Sequence, residues 1–333
     1  MSDFTEHTDH VLLLFLDGIG LGDDDPAVNP FAAAHTPTLD ALAGGHHWLR
    51  GTPPGDTGRA LFIPTDANLG VAGRPQSATG QATIVTGRNV AAEIGEHYGP
   101  RPNAEVRAIV NEDNVFKRIV AAGGTAALIN AFPPRFHEAV ASGKRLPSSN
   151  QQAAISAGQA LFTDTDIYSG AALSPDWTGQ GWRDELGYTD TPVYECADAG
   201  QRLAALSQAR TLTFFEHWIT DVIGHRGPLA RGVALLELFD GVMAGLLDAW
   251  DDAHGLVVIT SDHGNMEDLT TRHHTENAVP TVVIGAARHT FADGLHDLTG
   301  ITPGILRVLG MDGMTPPPKG PNDGQLRPAN PDA

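Results

Sequence analysis

VLLLFLDG, residues 11–18, decides how the rest of the chain is read. Six consecutive apolar residues with no polar alternation suit a strand buried on both faces, as in a parallel sheet covered by helices. The run stops at Asp17-Gly18, where a strand gives way to a loop. Two later stretches repeat the pattern. TLTFFE at 211–216 leads to Asp221 and His225, and LVVIT at 256–260 leads to Asp262 and His263. A loop to His225, a helix over Gly232–Trp250, a loop over Ser261–Asn277 and a strand over Thr281–Ile284 complete this half. Repeated strand–loop–helix units predict an α/β fold with a mostly parallel sheet and helices on both faces. Ligands of such sheets bind beyond the carboxyl ends of the strands. Three strands, each followed within a few residues by Asp, put carboxylates at that edge.

Working outward, Thr36–Ala43 reads as a helix entered through Pro37. GRPQSATG, 73–80, reads as a turn, with QATIVTG opening a helix after it. Val106–Ala122 has helical spacing and stops at Gly123-Gly124, and Thr125–Ala131 reads as a strand. Residues 132–190 are irregular, rich in Ser, Thr, Gly and Pro. The expected organisation is a discontinuous core of 1–90 and 211–315, an inserted cap of 91–210, and a Pro-rich, poorly ordered tail of 316–333.

Composition narrows the function classes. With 333 residues, 41% of them hydrophobic, the chain can bury one sizeable core plus an insert. No apolar run approaches the roughly 20 residues of a membrane span. The polar, acidic N-terminus does not read as a secretory signal. One cysteine, Cys196, allows neither an internal disulfide nor a cysteine-based zinc site. A cytoplasmic protein is the expectation. The net charge of −19, from 40 acidic and 21 basic residues, repels nucleic acid and anionic membrane. It would also repel an anionic substrate unless bound dications supplied local positive charge.

Four segments carry the chemistry: DGIG at 17–20, PQSATGQ at 75–81, DVIGH at 221–225, and SDHGN at 261–265 with HTENAVP at 274–280. Carboxylate oxygen with imidazole nitrogen is a ligand mixture for Zn²⁺ or Mn²⁺ that needs no thiolate. Each residue alone has a plainer explanation. The chain has 15 histidines, most of which would sit on the surface, and Asp after a strand commonly caps a helix or forms a turn. Other motifs are excluded. There is no P-loop Gly-Lys-Ser/Thr, no His-Glu-x-x-His and no Gly-x-Ser-x-Gly around Ser77. Gly18-x-Gly20-x-Gly22 lacks the third glycine of a dinucleotide fingerprint at the right spacing, and Asp23–Asp25 would face the pyrophosphate.

Taken in order, these motifs resemble the alkaline phosphatase superfamily, and within it the cofactor-independent phosphoglycerate mutases and the phosphopentomutases. NPFAAAHTPTLDAL, 29–42, resembles the mutases' segment after the first Asp, and QSATGQ their nucleophile turn, with Gly three residues after the Ser or Thr. DVIGH, SDHGN and HTENAVP are similar to the mutases' Asp-x-x-Gly-His, Asp-His-Gly-Asn and His-Thr-x-Asn-x-Val-Pro. The likeness covers about the first 90 residues and 211–285.

The resemblance implies two divalent metal ions, Mn²⁺ or Zn²⁺. One would be held by Asp17, Asp262, His263 and the Ser77 oxygen, the other by Asp221, His225 and His274, with His273 competing for the last place. Ser77 would be the nucleophile that becomes phosphorylated, with Thr79 as the alternative acceptor. The partner would be a small phosphorylated substrate, and the activity that of a phosphatase, phosphoesterase or phosphomutase. A non-catalytic metal-binding relative of the same fold is the alternative. Gln81 departs from the mutases' usual His, and their substrate-binding arginines have no clear counterpart. Arg135, Lys144, Arg145 and Arg183 are the candidate phosphate contacts.

Overall fold

The structure, a computed structural model, describes residues 6–313. The expected Pro-rich tail lies outside the described residues. Seven strands form one sheet: β1 His10–Leu16, β2 Gly55–Asp56, β3 Ala60–Thr65, β4 Ala126–Leu128, β5 Leu212–His217, β6 Gly255–Thr260 and β7 Val279–Ile284. Their order is β2-β3-β7-β6-β1-β5-β4. β1 pairs in parallel with β5 and β6, and β4 with β5. β7 pairs antiparallel with β6 and β3, and β2 with β3. The sheet is therefore mixed: β4, β5, β1, β6 and β3 run one way, β7 and β2 the other. β2 and β3 are strands the sequence reading misses. The exposed Gly55 and Asp56 show no apolar run, and Pro64 interrupts β3.

The alternation of β1 builds both halves of the core. Val11, Leu13 and Phe15 join an apolar cluster on one face, while Leu12, Leu14 and Leu16 join a second on the other. All six are at most 1% exposed, as a strand covered on both sides requires. The helices Ser77–Thr86, Ala104–Glu112, Val115–Ala121, Ser149–Ser156 and Ile301–Val308 supply the first cluster, and Pro37–Leu42, Cys196–Gln208 and Leu229–Ala249 the second. This is a three-layer α/β/α arrangement.

Several expectations change here. The single helix over Val106–Ala122 is two, broken where the Asn114 side chain caps Lys117 N and starts the second. The strand over Thr125–Ala131 shortens to Ala126–Leu128. The loop to His225 is a helix, Ile219–Arg226. The helix expected after the Ser77 turn begins at Ser77 itself. The stretch 91–210, expected as a cap, gives β4 to the sheet and packs four helices on its faces, because Val106, Val110, Phe116, Ile119, Leu203 and Ala204 are core residues. A small separate cluster of Ala131, Ile167, Ala172 and Trp182 is what remains apart from those layers.

β1 lies between β5 and β6, in a register that sets Phe15 beside both Glu216 and Thr260. The segments leaving these three strands therefore emerge side by side. They carry Asp17, Asp221 and Asp262.

Candidate metal and phosphoryl-transfer site

Three backbone devices bring the loops to one point. Gly18 has φ +71°, a left-handed conformation, and a Cβ there would meet the Asp221 side chain at 2.8 Å. On the Ser77 side, the helix Ser77–Thr86 is buried along its whole length and touches the Asp262 loop through Gly80. A Cβ on Gly80 would lie 2.8 Å from Asp262 Cβ and 2.9 Å from Asp262 O. Gly80→Ala is expected to push the helix and Asp262 apart, costing about 1–3 kcal/mol in urea denaturation.

The third device is Glu267, a buried carboxylate that the sequence reading does not single out. Its Oε2 accepts from Gly20 N at 3.0 Å and from Asn265 N at 2.7 Å. Its Oε1 accepts from the Thr275 hydroxyl, and from Asn277 Nδ2 at 2.9 Å. Three of the motif loops are thus tied to one side chain. Glu267→Ala would leave two buried N–H groups unsatisfied and should cost about 2–5 kcal/mol. Glu267→Gln, keeping one oxygen, should cost less than half of that in the same denaturation measurement.

The expected ligand residues converge. His263 Nε2 lies 3.4 Å from Asp17 Oδ1, 3.6 Å from Asp262 Oδ2 and 3.0 Å from Ser77 Oγ. His274 Nε2 lies 3.3 Å from His225 Nε2 and 3.7 Å from Asp221 Oδ1, and His225 Nε2 is 3.4 Å from Asp221 Oδ2. The His263 and His274 rings stack at 3.7 Å, joining the two halves. Two donor triads satisfy metal-binding distances: Asp17, Asp262 and His263, and Asp221, His263 and His274. His263 stands in both. His273 is exposed, whereas His274 is buried in the cluster. Thr79 is fully buried, and its hydroxyl bonds to Gln76 O at 3.1 Å.

The hydrogen bonds decide which ring nitrogen faces inward. Each Nδ1 meets a backbone carbonyl: His274 with Pro75 O at 2.8 Å, His225 with Arg272 O at 3.0 Å, His263 with Gly264 O at 3.3 Å. A carbonyl only accepts, so each Nδ1 carries the proton, and in the neutral rings the Nε2 lone pairs turn towards the carboxylates. Burial pushes His274 down to about 4 and lowers His263 as well, which keeps both neutral.

Charge in the site is badly balanced by protein alone. Burial first, and then the neighbouring carboxylates, pushes Asp17 well above the usual carboxylate range. The same causes take Asp262 to about 7. Burial opposes ionisation of Asp221 too, but bonding to His225 and proximity to His263 outweigh it and hold it at about 2. Asp17 Oδ1 is buried without a hydrogen-bond partner. The bond to Asp221 raises the His225 pKa, so the protein's own answer to three clustered carboxylates is a proton on His225, and the cluster is a donor set short of cations. Such a set fits divalent metal ions bound by oxygen and nitrogen.

Gln81 occupies the gap between the carboxylates. Its Nε2 donates to Asp17 Oδ2 at 3.2 Å and to Asp262 Oδ2 at 3.4 Å. Glu216, at the end of β5, is 3% exposed, and burial raises its pKa against hydrogen bonds from Gln151, Asn150 and Ser148. A buried acid at a strand end gives no signal in sequence beyond its place after an apolar run.

A cavity of about 820 Å³ opens from Asp17, Ser77 and Asp221. Arg135 and Arg145 line it, as the sequence reading expects. Lys144 and Arg183 do not: Lys144 sits in the exposed turn after the helix Pro134–Ala141, and Arg183 Nε is engaged by Thr191 O at 2.7 Å. Arg101, which follows the Gly99-Pro100 turn and was not a candidate, lines the cavity instead. A fourth lining arginine, Arg231, is paired with Glu185 at 2.9 Å, whereas among the described residues the guanidinium groups of Arg101, Arg135 and Arg145 have no protein hydrogen-bond or salt-bridge partner.

The family model described as the metalloenzyme superfamily matches residues 191–313. The span includes Asp221, His225, Asp262, His263 and His274, but not Asp17 or Ser77. Among similar proteins is the 2,3-bisphosphoglycerate-independent phosphoglycerate mutase of Methylobacillus flagellatus, 31% identical over 126 residues, which are 36% of this chain and 24% of the mutase. The Nitratidesulfovibrio vulgaris enzyme of the same name is 33% identical over 136 residues, 38% of this chain and 25% of that one. The match thus spans about a quarter of these mutases. Over the whole fold, the chain resembles the alkaline phosphatase of the Antarctic bacterium TAB5 with a TM-score of 0.51 at 14% identity, covering 92% of this chain and 99% of that one. The PH0037 protein of Pyrococcus horikoshii gives a TM-score of 0.54 at 16% identity, covering 93% and 99%. The fold is alkaline-phosphatase-like. No helix among the described residues is long and apolar enough to cross a membrane.

Proposed function

We propose that this chain catalyses metal-dependent phosphoryl transfer on a small phosphorylated substrate, through a phosphoserine at Ser77. One observation carries the reading: three inward-facing imidazole nitrogens, three carboxylates and the Ser77 hydroxyl converge, and Asp17, Ser77 and Asp221 of that cluster line one cavity. Asp17, Asp262, His263 and Ser77 Oγ would hold one ion, and Asp221, His225 and His274 a second, Mn²⁺ or Zn²⁺. Bound there, divalent cations supply the positive charge that lowers a hydroxyl pKa and offsets charge on a transferring phosphoryl group.

The chain's own residues do the remainder. Ser77 is the first residue of its helix, so its oxygen sits at the positive end of aligned peptide dipoles, where negative charge is favoured. Its hydroxyl points at His263 Nε2, which faces it with a lone pair. In the first step the Ser77 hydroxyl gives up its proton as Oγ bonds to phosphorus, and the ester oxygen leaves with its electron pair and takes up a proton. In the second, a hydroxyl gives up its proton as it bonds to the same phosphorus, and Ser77 Oγ leaves with its electron pair and is reprotonated. Arg101, Arg135 and Arg145 are free to meet the phosphate oxygens. The parts of 91–210 that line the cavity, around Phe132, Arg145 and Trp182, act as its cover. A cytoplasmic site of action remains part of this reading.

A panel of phosphate esters incubated with Mn²⁺- or Zn²⁺-loaded protein, assayed both for released phosphate and for isomerised ester, tests the proposal. Phosphate release identifies water as the acceptor, and isomer formation identifies a substrate hydroxyl. No turnover of any ester, with the ions bound, would leave the non-catalytic alternative standing.

A further inference from the structure

The cavity has two unlike regions. One is the charged mouth already described. The other is an apolar wall formed by Phe132, Phe136, Trp218, Val222 and Leu235, all lining the same space. Its rings are ordered as a stack. Phe136 and Phe132 lie 4.4 Å apart at 23°, and Phe132 and Trp218 lie 6.0 Å apart at 9°. The Arg145 guanidinium lies 4.9 Å over the Phe136 ring. Trp218, at the other end, is only partly buried and is the N-cap of the helix that carries Asp221. Val222, next to Asp221 in that helix, is 46% exposed. An apolar, partly uncovered surface therefore begins one helical turn from the proposed reaction centre.

Size and chemistry point the same way. Cavities of roughly 300–1,000 Å³ accommodate drug-sized ligands, so about 820 Å³ is far more than a three-carbon ester fills. A polyhydroxylated ester laid along this wall would lose water from its hydroxyl groups against Phe132, Phe136, Val222 and Leu235, which neither donate nor accept, with the Trp218 indole N–H as the wall's one side-chain donor. A flat apolar group would instead displace water from the indole face and extend the existing ring stack.

We infer that the substrate is an aryl phosphate monoester, or one of an equally flat apolar alcohol, with its ring on Trp218 and its phosphoryl group at Ser77. This rests on the phosphoryl-transfer reading for the position of the phosphate. Trp218 and Val222 are then specificity-determining residues.

Non-hydrolysable phosphonates separate the two claims. Titration of Mn²⁺-loaded protein should give 1-naphthylphosphonate an affinity at least about tenfold above that of methylphosphonate. Trp218→Ala should lower that ratio by about fivefold or more. Val222→Asp, a substitution at an exposed position that does not threaten folding, should lower it as well by placing a charge on the wall. Equal affinities for the two phosphonates, or a ratio that neither variant moves, overturn the inference. Turnover of 1-naphthyl phosphate and glycerol 3-phosphate is measured alongside. A preference in binding without turnover of either ester supports the aryl site and removes the transfer reading. Turnover of both at similar rates without a binding preference removes the aryl site and supports the transfer reading.

Discussion

Ser77→Ala is expected to lower turnover of any accepted phosphate ester by at least about a thousandfold, because it removes the hydroxyl that faces the metal-ligand cluster and would take the phosphoryl group. Ser77 Oγ has His263 Nε2 as its hydrogen-bond partner and begins a buried helix. The alternative acceptor weighed from the sequence, Thr79, is fully buried with its hydroxyl bonded to Gln76 O. The substitution should barely disturb folding, since Ser77 is not the N-cap of its helix: that residue is Gln76. A change of less than about 1 kcal/mol is anticipated. Steady-state kinetics paired with acid quench and mass spectrometry checks both halves. Wild-type protein should yield a peptide phosphorylated at Ser77, and the variant none. Activity within tenfold of wild type in the alanine variant would sink the mechanism.

The second large effect runs in opposite directions with and without metal. Asp262 is 0% exposed and shares its pocket with Asp17, which is 8% exposed. The Gln81 amide donates to both carboxylates, at 3.2 and 3.4 Å, and a neutral His263 offers them no charge. With the ions removed by chelator, Asp262 is therefore a burden on the fold, as its displacement to about 7 records. Asp262→Asn should stabilise the chelated protein by about 1–3 kcal/mol, raising its Tm by several degrees. In metal-loaded protein the same change removes an anionic ligand. There it should cut activity by about a hundredfold or more and shrink the Tm increment gained on adding Mn²⁺ or Zn²⁺. Calorimetric scans with and without chelator decide it. A chelated Asp262→Asn protein less stable than chelated wild type would mean that the carboxylate is a structural strut, and the two-ion site would lose its main physical support.

Both expectations rest on residues legible in the linear text, for a chemical reason. A metal ligand must offer a particular atom, so its residue type is restricted, and Asp17, Asp221, His225, Asp262 and His263 all fall just after strands whose apolar runs are unmistakable. His274 was separable from His273 by the Thr-x-Asn-x-Val-Pro that follows it, and burial of His274 against exposure of His273 agrees. Substrate-side residues carry no such restriction. Arg183 and Lys144 have the same charge as Arg145, and only the path of the chain makes Arg145 line the cavity while Arg183 is held by Thr191 O.

The sequence by itself determined the α/β class, because runs such as Val11–Leu16 can be buried only in a sheet covered on both faces. It also determined the chemical types available to the site. Tertiary structure alone decided the rest. β7 returns antiparallel, and Ala126–Leu128 leaves the expected cap to become a sheet edge, because strand direction and partner are set by long-range pairing that no local pattern encodes. The Nδ1 contacts that turn three imidazoles inward depend on carbonyls of Pro75, Gly264 and Arg272, two of them from other segments. The aromatic wall depends on Phe132 and Trp218, 86 positions apart in the chain and stacked only because β4 and β5 are neighbours.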